Sequence, residues 1–139
     1  MSPSDLPSAF RAKGIRIMPP AASEAIKKIA IMYRIPEDSY ILDIYREFDG
    51  FDGDFDAKSL LNLWGTGSII DAFEEFGTRS LLPFSDFSFM TDVYCLRTND
   101  PGGSIWGELN SAHVDLNLNT FFAKWLGGGF DHELGIFSS

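Results

Sequence analysis

The spacing of the apolar residues changes twice along the chain, and that change decides the fold class. Ile26, Ile29, Ala30 and Tyr33 recur at i, i+3, i+4 and i+7, the spacing of one helix face, and Ile41, Ile44, Tyr45 and Phe48 repeat it. These patterns predict helices over roughly 21–34 and 37–48. Pro36 restrains the chain ahead of the second, Glu37 and Asp38 suit its N-terminus, and Gly50 lies where a left-handed C-terminal residue is needed. Leu60 to Trp64 then reads as a strand. Ser68 with Asp71 makes a capping-box-like start for a short helix from Ile69 to Phe76, which Gly77 ends.

From Leu81 the apolar runs shorten and take strand character: Leu81-Leu82, Phe87-Ser88-Phe89-Met90 and Val93-Tyr94-Cys95-Leu96. Asn99-Asp100-Pro101-Gly102-Gly103 predicts a turn, with Ser104 to Leu109 as the returning strand of an antiparallel hairpin. Asn117 then caps a last helix in which Leu118, Phe121, Phe122 and Trp125 resume the helical spacing before Gly127-Gly128-Gly129. This order predicts an α+β fold, with helices packed on one face of a twisted, mostly antiparallel sheet.

A chain of 139 residues with 45% hydrophobic residues and 13 Phe is long and apolar enough for one cored domain, unlike a disordered acidic chain. We expect an N-terminal extension over 1–20, a single domain over 21–127 and a tail over 128–139. Cys95 is the one cysteine, so no internal disulfide forms, and its apolar surroundings suit a small buried side chain. No apolar run approaches the roughly 20 residues of a membrane span, and no basic region precedes an apolar one at the N-terminus. A cytoplasmic protein without a membrane partner is expected.

The net charge of −9 is unevenly placed. Residues 37–56 hold eight acids and one base, a local charge of −7, which leaves −2 for all the rest. Such a field repels nucleic acid and favours a basic protein partner. Within this segment, EFDGFDGDFD (47–56) resembles a calcium loop, and Asp52, Asp54 and Asp56 match its first three ligand positions. Position 6 is Ala57 and position 12 is Leu63, however, so the turn glycine and the closing bidentate Glu are missing. A weak metal site stays an alternative. Phe51 and Phe55 have two readings, as core residues or as anchors for a partner.

Other chemical signals are weak. Gly65-Thr66-Gly67 has Ile70 at the third glycine position of a dinucleotide turn. Ser111, His113 and Asp115 alternate as on one strand face, but neighbours there are about 6.6 Å apart, too far for a relay between nucleophile and base. His113 and His132 with one cysteine make no zinc set, and Asp131-His132-Glu133 reads as a solvated tail. We therefore assign no catalytic, cofactor-binding or metal-binding residue, and expect no cofactor.

The stretch RIPEDSYILDIYREFDGF (34–51) resembles the "LPedYreflrxxNGf" signature of the SUKH superfamily, with Ile35 for the usual Leu and Asp49 for the usual Asn. Leu82-Pro83-Phe84 and Val93-Tyr94-Cys95-Leu96 resemble its "lipF" segment and following strand, Ser104-Ile105-Trp106 its returning strand, and Asn119 to Leu126 its closing helix. The likeness covers roughly 22–126. The superfamily includes yeast cell-wall glucan-synthesis regulators and many bacterial proteins that neutralise toxins. The resemblance implies a non-catalytic α+β binding domain, with an immunity protein that neutralises a basic, nuclease-like toxin as the leading expectation. A regulatory scaffold or a cryptic enzyme are the alternatives. The residues expected to meet a partner are Asp49, Phe51, Asp52, Asp54, Phe55 and Asp56.

Overall fold

The computed structural model describes residues 1–53, 55–90, 92–100, 104–107, 113–131 and 136–137. A 3₁₀ turn (Pro3–Asp5) leads into α1 (Leu6–Ala12), followed by α2 (Ser23–Tyr33) and α3 (Tyr40–Glu47). Strand β1 (Leu61–Leu63) and α4 (Thr66–Phe76) precede β2 (Leu81–Phe87), β3 (Asp92–Arg97), β4 (Ser104–Gly107) and β5 (His113–Asn117). Helix α5 (Leu118–Leu126) and a small pair, β6 (Phe130–Asp131) with β7 (Ile136–Phe137), close the chain. The fold is α+β, and β1 to β5 form one antiparallel sheet in sequence order.

Residue parity decides which side chains each sheet face receives. Leu82 and Phe84 point to the core, and a register shift between Pro83 and Ser85 then switches parity so that Phe87 does too. That shift also explains how Pro83, which lacks an N–H for the ladder, sits in an interior strand. Helix α5 covers the core face: the Phe121 ring lies 5.3 Å from Phe84 and 5.4 Å from Tyr94, both edge-on. Asn117 caps α5, its side chain accepting a 2.8 Å hydrogen bond from the Thr120 N–H, as the sequence predicts.

The first twenty residues do not stand apart. Leu6 and Phe10 of α1 are fully buried, and the Phe10 ring packs against Phe51 and Trp125 at 5.0 Å each. They belong to the core. Burial pushes the Tyr33 hydroxyl up to about 12 and the Tyr45 hydroxyl upward as well. Both therefore stay protonated and donate to backbone carbonyls, Tyr33 to Ile69 and Tyr45 to Trp64.

Three local expectations are corrected. Gly50 is not the C-terminal cap of α3, which ends at Glu47 with Phe48 already extended. The 88–90 stretch is a turn, not a strand, with Ser88, Phe89 and Met90 all left-handed. Helix α4 begins three residues before Ile69, and no side chain of its own caps it. The expected partner residue Asp54 and the relay residue Ser111 lie outside the described residues.

Candidate functional site

The acidic stretch is held along the sheet by backbone pairing on both of its sides. On one side Met18 N–H donates to Gly50 O and Asp52 N–H to Arg16 O. On the other, Phe51 N–H donates to Leu63 O and Asp56 N–H to Leu61 O. The segment thus runs as an irregular ribbon along the outer edge of β1, satisfying groups that an open edge would expose.

This placement divides the six residues expected to meet a partner. Asp49 turns inward: one carboxylate oxygen accepts from the Thr66 N–H at 2.7 Å and the other from the Thr66 hydroxyl at 3.0 Å. It caps α4 from 17 residues away, and its negative charge occupies the end of the helix where a phosphate would otherwise dock. The Gly65-Thr66-Gly67 turn is therefore already filled. Replacing Asp49 with alanine is expected to cost about 1–2 kcal/mol of stability, measured by urea denaturation, through loss of this cap.

Phe51, 8% exposed, is a core residue, and Asp56, 3% exposed, is a buried carboxylate. The Asp56 carboxylate accepts from the Trp125 indole N–H at 2.8 Å, the Ser59 hydroxyl at 3.0 Å and the Lys58 N–H at 3.0 Å, with Lys13 Nζ at 3.4 Å. Burial, the largest single influence, pushes its pKa up. The three hydrogen bonds and the Lys13 charge together outweigh burial and hold the carboxyl below its usual value. Asp49, Phe51 and Asp56 are thus engaged inside the molecule. Of the five described, the other two differ: Asp52 is exposed and Phe55 half-buried. Among the described residues, no group of three or more His, Cys, Asp or Glu is placed to hold a metal ion.

Phe55 leads to a surface with no local sign in the sequence. Its ring lies 5.1 Å from Phe89, edge-on, and Phe89 is 78% exposed at the tip of the β2–β3 turn. Three consecutive residues there hold positive φ: Ser88 at 50°, Phe89 at 55° and Met90 at 72°. Left-handed backbone costs about 1–2 kcal/mol per non-glycine residue, so the turn needs support. The Ser88 N–H donates to Leu60 O at 2.9 Å, and the Met90 N–H to Asp86 Oδ2 at 3.0 Å. Asp86 is itself buried and fixed by Asn62 Nδ2 at 3.0 Å and the Trp64 indole N–H at 2.7 Å.

The outward sheet face beside this turn carries Trp64, Pro83, Val93 and Cys95, where a solvated antiparallel face is ordinarily polar. Helix α4 borders the face and leaves two hollows. One, of about 290 Å³, lies by Phe55, Ser68 and Phe89, and the other, of about 350 Å³, by Trp64, Ala72, Phe76 and Met90. Phe76 is 72% and Met90 57% exposed. Large exposed apolar side chains are thus gathered between the end of α4 and the β2–β3 turn.

No protein-family model matches the sequence, and no curated protein matches it. No helix among the described residues is long and apolar enough to cross a membrane.

Proposed function

We propose that the chain is a protein-recognition domain, without catalytic chemistry of its own, that binds a basic protein partner through the apolar face between α4 and the β2–β3 turn. The leading form of this reading is an immunity protein that occludes a toxin domain, as the SUKH resemblance implies. The observation that carries it is Phe89, a large aromatic held in solvent on strained backbone by a buried carboxylate. Its edge-on contact with the half-buried Phe55 leaves most of the ring in water, where a partner would bury it.

The test follows from the strain. Phe89→Gly relieves the left-handed backbone and removes the exposed ring, so unfolding stability should hold or rise by up to about 1 kcal/mol. Affinity for the partner, captured from lysate at low and near-physiological salt, should fall by about 2 kcal/mol, or roughly thirtyfold, as for a central aromatic anchor. A captured partner that binds the glycine variant as tightly as the wild type would remove this surface from the function. Protection of cells from one cognate toxin on co-expression, lost in the variant, distinguishes immunity from scaffolding.

A further inference from the structure

We infer that the groove between α4 and the β2–β3 turn receives an amphipathic helix of the partner, one that carries Lys or Arg beside its apolar stripe. The inference rests on the recognition reading above and names what that surface takes.

Backbone bonding argues for a helix. The groove is bounded by α4, whose main chain is internally bonded, by β2 and β3, each paired on both sides, and by β1, whose outer edge accepts from the Phe51 and Asp56 N–H groups. An extended peptide would find no open strand edge for its own N–H and C=O groups, whereas a helix brings them already satisfied. Dimensions agree. Along α4, Ser68 at the first hollow and Ala72 and Phe76 at the second stand at i, i+4 and i+8, a run of about 12 Å, with the small Ser68 and Ala72 leaving room for apolar anchors.

The charge argues for a cationic one. At 100° per residue, Asp71 and Glu75 fall on the solvent shoulder of that wall, on the side away from the buried Ile69, four residues apart. Among the described residues neither makes an ion pair, and none lining either hollow is Lys or Arg. The neighbouring bases are turned to other work: Lys28 reaches Glu74 at 3.4 Å, and the Arg79 guanidinium lies 5.6 Å over the Phe73 ring. Lys or Arg at i and i+4 on an incoming helix would meet Asp71 and Glu75.

Three synthetic peptides of about 14 residues, roughly four helical turns, test this on the full chain. The first places Leu at helical i, i+3, i+4, i+7 spacing among Lys, the second replaces Lys with Glu, and the third alternates Leu and Lys as in a strand. Calorimetry should show the first binding at least about tenfold tighter than either control, with the preference shrinking as salt rises. Phe89→Gly and Phe76→Ser should each weaken it about tenfold. Asp71→Asn with Glu75→Gln should weaken it about three- to tenfold and flatten the salt dependence while the melting temperature stays unchanged. Equal binding of the alternating peptide, or indifference to the Asp71/Glu75 pair, would overturn the helix. Self-association of the chain that Phe76→Ser abolishes would give the groove to a second copy and also overturn it. If the peptides show no preference yet Phe89→Gly still releases a captured partner, the recognition surface stands and only its occupant is wrong.

Discussion

Replacing Asp56 with alanine is expected to lower the unfolding free energy by about 3–5 kcal/mol, the range for breaking a buried charged network by removing one partner. The carboxylate joins three distant parts of the chain: Lys13 just after α1, the Lys58–Ser59 turn that leads into β1, and Trp125 in α5. Without it the Trp125 indole N–H and the Ser59 hydroxyl stay buried with nothing to receive them. Urea titration at neutral pH measures the loss. Asp56→Asn should fall between, because its amide turns an N–H toward donors that now meet a carboxylate oxygen. The same site sets an acid limit. The folded-state pKa lies below the unfolded value of about 3.9, so the unfolded chain takes up this proton first as pH falls. The contribution of Asp56 is therefore complete above that value and is lost as pH drops through the folded pKa. The stability gap between wild type and Asp56→Ala should narrow over that window.

Gly50→Ala is expected to cost about 3 kcal/mol or more, and to yield mostly insoluble protein. A methyl group at Gly50 would stand 2.7 Å from the Trp64 carbonyl carbon and oxygen and from the Gly65 nitrogen. Those atoms have little freedom to yield: Trp64 N–H is bonded to Phe84 O at 2.8 Å, and the Trp64 carbonyl receives the Tyr45 hydroxyl at 2.6 Å. Gly53→Ala is the control. Gly53 also has positive φ, 62° against 78° at Gly50, but open space around the position, so only the conformational cost of about 1 kcal/mol applies. The difference between the two midpoints in urea measures the steric part alone.

Much of the helical content was legible because its signals are local. The i, i+3, i+4, i+7 set from Ile26 to Tyr33 became α2, and Asn117 capped α5 as its position implied. Helix α1 escaped because Leu6 and Phe10 alone, in so short a segment, make no period. Pro83 splits the apolar pattern of β2 into two pieces, although the shift from even positions (Leu82, Phe84) to an odd one (Phe87) is a readable sign of the irregularity that accommodates it. The acidic stretch misled for a different reason. Whether an Asp caps a helix, anchors a buried network or faces water depends on partners 17 residues away for Asp49 and 69 away for Asp56. Composition carries none of that. Phe89 likewise looked like a strand residue, since its turn contains neither glycine nor asparagine and is held by Asp86 and Leu60 through space.

The contact of Phe10 with Trp125 bears on how the chain is made. Synthesis delivers α1 before α5, so Phe10 and Phe51 lack their indole neighbour until residue 125 has left the ribosome. Bringing residues more than a hundred apart together carries an entropic cost, which the earlier contacts of Phe10 with Phe48 and Phe51 reduce. The Phe10 ring thus meets those of Phe48 and Phe51 first, and this aromatic cluster is completed only when α5 has been made.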